Sequence, residues 1–164
     1  MRRLTPDEFR EVISHFATGV TIVTAVHEGR SYGTTASAVT SLSLEPPMML
    51  ACMSKESATG RAMAAAGHFA VNILGENQAG LAERFARKGD EKFEGVAIVE
   101  GQWGEPLIED ALATLECRVV EQTVGGTHVV FFGEVEAGSA RAGAPLAYYR
   151  GQFGRLQLVT ELDG

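Results

Sequence analysis

The segment from Gly33 to Ser43, Gly-Thr-Thr-Ala-Ser-Ala-Val-Thr-Ser-Leu-Ser, is unusually dense in small and hydroxyl-bearing residues and ends before Glu45-Pro46-Pro47. Small side chains let a ligand approach the main chain, whose N–H and C=O groups can bond the polar edge of a flat heterocycle without crowding its face. The same content fits an edge strand with a polar outer face. A second candidate, Ser54-Lys55-Glu56-Ser57-Ala58-Thr59, leaves a strand and enters a helix, where hydroxyls and free N–H groups can receive a phosphate. Ser57 serves equally as a simple N-cap. Arg84, Arg87, Lys88 and Lys92 form a basic cluster suited to a phosphate tail, or to a solvated helix C-terminus. His128 stands beside Gly125-Gly126 at the head of a strand, where it could contact a substrate or donate a proton, or simply hold the turn. No cysteine or serine has a visible base beside it, so no motif supports a hydrolase.

These residues need elements to hold them. Thr5 and Glu8 stand three apart as a capping box with Pro6 at the first helical position. Phe9, Val12, Ile13 and Phe16 then form one apolar stripe expected to cover the core, with Gly19 as the stop. From Val20 the pattern turns β-branched, and Glu28-Gly29 supplies a hairpin turn before Ser31-Tyr32-Gly33. Further strands are expected over 38–44, 48–53, 69–74, 115–123, 128–136 and 147–158, the last with a bend. Short helices are expected over 57–66 and 77–88, and an irregular exposed excursion over 88–104. Strands with only isolated helices between them favour a mainly β, single-domain antiparallel barrel over a doubly wound sheet. No G-x-G-x-x-G sequence opens a helix, so a dinucleotide would bind without a Rossmann unit.

The 164 residues fit one domain, with its core at about 7–158. At 45% hydrophobic and 21% charged the composition is that of a soluble globular protein, with no apolar run of membrane-spanning length. A formal charge of −7 disfavours general binding to nucleic acid, so anionic ligands need a local basic patch. The N-terminus lacks the apolar segment of a secretory signal. Cys52 and Cys117 sit in strand-like segments without metal-ligand spacing and read as buried thiols in a reducing cytoplasm.

In order along the chain, Phe16-Ala17-Thr18-Gly19-Val20-Thr21-Ile22-Val23-Thr24, Thr35 to Pro47, Phe69 to Leu74, Arg84 to Lys88, Gly126-Thr127-His128, Gly133-Glu134-Val135 and Tyr148 to Gly154 resemble the short flavin reductase family. These are the reductase partners of two-component flavin-dependent monooxygenases, and the resemblance covers about 7–158. It implies a Greek-key split β-barrel that forms a homodimer, with flavin in a groove near the subunit interface. By the family pattern Thr34, Thr35, Ala36 and Ser37, with Ser41, Leu42 and Ser43, border the flavin ring, and Cys52 and Met53 lie beneath that strand. Ser57, Thr59, Arg87 and Lys92 serve the phosphate end, Phe85 packs near the flavin, and His128 faces the nicotinamide as the catalytic candidate. The family carries Gly-Asp-His where this chain has Gly126-Thr127-His128, so a carboxylate is missing beside the histidine. FMN is the expected flavin, with FAD the alternative, and NADH the expected hydride donor, with NADPH the alternative. No metal is expected. The implied partner is a separate monooxygenase that receives reduced flavin. A non-catalytic flavin-binding module on the same barrel, or a direct small oxidase or nitroreductase, is the competing reading.

Overall fold

The computed structural model describes residues 2–159. Thr5 caps α1 (Pro6–Ile13): its hydroxyl accepts from the Glu8 N–H at 3.3 Å, and the Glu8 carboxylate accepts from the Thr5 N–H at 2.8 Å. The helix stops at Ile13, with Ser14 as its C-cap, and Thr18–Gly19 already form a strand, β1, so Gly19 does not end the helix. The apolar stripe of α1 does not cover the core. Phe9, Val12, Ile13 and Phe16 are all exposed, Val12 at 60% and Phe16 at 73%. Amphipathicity says that a face will be covered, not by which molecule.

The chain continues through β2 (Thr21–His27), β3 (Arg30–Ala36), β4 (Val39–Leu44), β5 (Pro47–Ser54), α2 (Ala58–Ala66), β6 (His68–Ile73) and α3 (Ala79–Ala86). It then forms β7 (Ile98–Glu100), β8 (Pro106–Ile108), β9 (Ala113–Gly125), β10 (His128–Ala140), β11 (Leu146–Tyr149) and β12 (Gln152–Arg155). Turn chemistry sets the hairpins. Glu28 and Gly29 both take left-handed φ, 50° and 72°, as does Gly126 at 61° before Thr127, matching the twist of the strands they join. Gly125 itself stays within β9. The bend expected in 147–158 is a third hairpin, closed by Arg150 and Gly151 at φ 48° and 78°.

Seven strands form one antiparallel sheet in the order β3-β2-β6-β9-β10-β5-β4. The two edges, β3 and β4, are joined by Ser37 and Ala38 alone. Those residues span at most about 11 Å. A flat sheet of this size would separate its edges by roughly 29 Å. The sheet must therefore roll up, and it closes into a Greek-key barrel split between β3 and β4. Five strands send Val23, Met53, Phe69, Val71, Cys117 and Phe131 into its interior, and α2 plugs it with Ala62 and Met63. Ser57 caps α2 by accepting from the Gly60 N–H at 3.1 Å, and Gly67 ends it in the left-handed region.

β2 is buried on both faces. On its outer face Ile22, with Val20 just before the strand, packs with Leu74, Ala82, Phe85, Ile108 and Leu146 in a second core layer. The excursion expected over 88–104 carries one short exposed strand, β7, which pairs with β8 just beyond it, where Pro106, Leu107 and Ile108 are buried. Asn72 fastens this layer. Its amide donates to Ile22 O at 3.0 Å and Thr24 Oγ1 at 3.2 Å, and its carbonyl accepts from the Ile108 N–H at 2.8 Å. Thr24 in turn donates to Pro106 O at 2.6 Å.

Asn72→Ala strands the Ile108 N–H in a dry layer and removes the side-chain bonds to Ile22 O and Thr24 Oγ1. It should cost about 2–3 kcal/mol, read as a fall in melting temperature of roughly 5–10 °C; an unchanged melting curve would remove Asn72 from this role.

Candidate active site

The rolled sheet brings several of the sequence-predicted residues onto or beside β5. The Ala36-to-Val39 link sits against β5, where the Cys52 N–H donates to Ala38 O at 2.9 Å. Two residues further along β5, Ser54 pairs with His128 at the start of β10. The chain then turns through Lys55, whose N–H donates to Thr127 O at 3.1 Å, into the Ser57 cap. Cys52, Met53, the Ser57 cap and His128 thus follow one another along β5 and its turn, whereas Thr59 lines a separate small cavity with Gly33 and Lys92. Ser41, Leu42 and Ser43 run away from the Ala36-to-Val39 link along β4, with a bulge at Leu42. Ser43 lies opposite Met48, five residues from Met53 and hence roughly 17 Å away along the strand.

An open groove of about 460 Å³ follows the split, lined by Phe16, Thr18, Ser37, Thr40, Ser41 and Met49 among others. It meets a second groove of about 810 Å³ between α1 and the β11–β12 turn, and Phe16, Thr18 and Ser37 line both. The Thr18 Oγ1 is buried there without a hydrogen-bond partner. A buried hydroxyl at the junction of two open grooves fits a polar ligand atom that would satisfy it.

Other predicted contacts prove to be structural. The Thr35 hydroxyl donates to Ala82 O at 2.5 Å, tying β3 to α3. Phe85 is fully buried one layer below β3, its ring edge-on to Phe93 at 5.0 Å. A methyl group on Gly33 would come within 2.7 Å of Phe85, so only glycine lets the strand lie this close. The basic cluster divides. Arg84 bonds the Glu91 carbonyl at 2.9 Å and that of Glu94. Lys92 donates to Gly33 O at 3.0 Å and Phe85 O at 3.2 Å. Burial lowers the Lys92 pKa, and Asp90 partly counters that. One of its three donors thus clips the loop to β3 and another to α3, beside a cavity of about 60 Å³ shared with Thr59. Arg87 and Lys88 are exposed.

His128 is exposed, and its Nδ1 lies 2.9 Å from the Thr127 hydroxyl, which stands where a carboxylate was expected. Burial raises the Cys52 thiol above the ordinary range and pushes Cys117 up to about 12, so neither is a thiolate nucleophile. Arg150 was missed as a groove residue. Its signal was an arginine ahead of a glycine in a turn, and it holds Glu11 of α1 at 2.9 Å from that left-handed position. Among the described residues, no three His, Cys, Asp or Glu side chains converge as a metal site. The region offers open grooves, main-chain polar groups, hydroxyls and local cations, an arrangement that can bind and orient a planar cofactor with an anionic tail.

Comparison with known proteins agrees with this geometry. The family model of the flavin reductase like domain matches residues 13–157. The reductase component of a 4-nitrophenol 4-monooxygenase/4-nitrocatechol 2-monooxygenase from Rhodococcus opacus is 52% identical over 154 residues, covering 94% of this chain and 83% of that protein. The flavin-dependent monooxygenase reductase subunit HsaB of Mycobacterium tuberculosis is 39% identical, covering 92% and 82%. Among solved structures, the Streptomyces globisporus NADH:FAD oxidoreductase SgcE6 in complex with NAD and FAD fragments superposes with a TM-score of 0.90 at 33% identity, covering 98% of this chain and 100% of that one. A nitrilotriacetate monooxygenase component B from Mycobacterium thermoresistibile gives 0.89 at 38% identity, covering 95% and 89%. The mainly β split barrel, the matched span and these identities agree, and the chain belongs to the flavin reductase like domain family.

Proposed function

We propose that this chain is an NAD(P)H:flavin oxidoreductase that reduces FMN or FAD and supplies diffusible reduced flavin to a separate monooxygenase. The observation that carries the reading is the paired groove at the split of the barrel, with the unpartnered Thr18 hydroxyl at its junction and no nucleophile beside it. When bound, the flavin supplies the redox chemistry, accepting hydride from the reduced nicotinamide. The protein binds and orients. The main chain of Thr34, Thr35, Ala36 and Ser37 faces the ring edge, with Ser41, Leu42 and Ser43 further along the groove. Cys52 and Met53 support that strand from β5, and Phe85 packs beneath it. Ser57, Thr59, Arg87 and Lys92 belong to the phosphate end, and His128 positions the nicotinamide. An open groove with few charges on the ring suits release of the product. The preferred pair is FMN and NADH, within one folded unit over about 7–158. Free thiols at Cys52 and Cys117 suit a reducing cytoplasm.

The occupant that best fits the exposed stripe of α1 is a second copy of the chain. Phe16 belongs both to that stripe and to both grooves, so covering the stripe would place a partner beside the cofactor. Leu44, 93% exposed at the end of β4, adds to the uncovered apolar surface.

NADH oxidation at 340 nm should depend on added FMN or FAD, with many turnovers per subunit. A yellow protein without turnover would instead make the chain a flavin-binding module. His128→Ala should raise KM for NADH about tenfold, the loss of one hydrogen bond of about 1.4 kcal/mol, and unchanged kinetics would end that assignment. Light scattering should show a dimer that Val12→Asp converts to monomer with weakened flavin binding; a wild-type monomer would refute the pairing.

A further inference from the structure

The strap Gly101–Glu105 joins β7 to β8 over the outer face of the sheet. Two carboxylic acids hold its middle, and the Gly104 N–H donates to Gly101 O at 2.9 Å. The Gln102 N–H donates to Glu116 Oε2 at 2.7 Å and the Trp103 N–H to Glu105 Oε2 at 3.1 Å. The Gly101 N–H closes the strap on Glu105 O at 2.8 Å. Both acids crowd Gly101, where an added methyl would lie 2.7 Å from Glu105 Oε1 and 2.9 Å from Glu116 Oε2. Glu105 is fully buried, and its Oε1 has no hydrogen-bond partner. Glu105 is the dry member of the pair, so its ionised form is costly beside Glu116 without a cation between them.

Among the described residues the surroundings supply no such cation. Arg118, two residues along β9 from Glu116, is engaged by Glu136 at 2.7 Å and Glu134 at 3.0 Å on β10. Cys117 of β9 is a buried thiol, which burial and the two acids keep protonated. His68 at the start of β6 lies face to face with Trp103 at 5.2 Å, its Nδ1 buried and unpartnered, and burial lowers its pKa toward the neutral form. From β2, Thr24 contributes a hydroxyl bonded to the main chain of Pro106.

We propose that Glu105 and Glu116 form a proton-operated latch: one shared proton holds the strap closed on the sheet, and its loss drives the strap and Trp103 toward water. Burial and the neighbouring Glu116 raise the Glu105 pKa to about 6. A carboxyl whose folded pKa lies above its unfolded value favours the closed form below the unfolded pKa. That preference disappears as pH rises through the folded pKa. The strap ends the excursion whose earlier part carries Lys92 and Phe93, so its release loosens one tether of the loop clipped to Gly33.

Trp103 is the only tryptophan of the chain and reports on the latch without any cofactor. Between about pH 5 and about pH 8 its emission should shift to longer wavelength and its quenching by acrylamide should rise severalfold, with a midpoint near 6 and unchanged far-ultraviolet dichroism. Glu105→Gln, which cannot titrate but can still donate to Glu116, should flatten the transition. His68→Asn separates the latch from quenching by imidazolium, and the wavelength shift should survive it. A wild-type Trp103 with constant emission and quenching over this range would overturn the latch. So would a shift that persists in Glu105→Gln and vanishes in His68→Asn.

Discussion

Two residues, Ser37 and Ala38, connect opposite edges of a seven-stranded sheet, and nearly every feature of the molecule follows from that short connection. A link this short forces the sheet to curl until β3 and β4 meet. Curling creates an interior that five strands can fill with apolar side chains, with α2 as its plug. It also leaves a seam. β3 and β4 are not paired with each other, and an open groove lies beside the link between them, lined by Ser37 and by Val39, Thr40 and Ser41 of β4. The barrel and the ligand groove are thus one consequence of one connection.

Burying β2 on both faces requires a second layer outside the barrel, and polar groups hold much of that layer in place. Asn72 and Thr24 satisfy main-chain groups of β8, Lys92 clips the loop after α3 to β3, and Arg84 ties the same loop to α3. These side chains are buried or half-buried and hydrogen-bonded, as desolvation demands. The price of this arrangement is fewer free cations near the grooves than the sequence suggests. For a chain of net charge −7, that leaves Arg87 and Lys88 as the exposed members of the cluster.

The strongest expectation that failed concerns α1. Its capping box and apolar spacing define the helix, yet the stripe lies open because the barrel interior is already filled and the outer layer is closed by α3, β8 and β11. After α3 the expected excursion over 88–104 is indeed exposed through β7, but just beyond it a buried strand had received no assignment, because Pro106, Leu107 and Ile108 form too short a run to show a period.

Local chemistry was legible in the residues themselves. The Thr5–Glu8 box, the Glu28-Gly29 turn, the β-branched runs, the Ser57 cap and the small-residue segment at 33–43 act over a few positions, where propensity and hydrogen bonding to near neighbours decide the outcome. Tertiary structure decided which edges meet across two residues, which face of α1 stays uncovered, and whether a hydroxyl or ammonium faces the groove or a neighbouring carbonyl. Thr35 bonding Ala82, 47 residues away, and Lys92 bonding Gly33, 59 away, are contacts with no local signature. They exist because closing the sheet brings distant backbone carbonyls into reach, and a polar group removed from water takes whichever partner that closure provides.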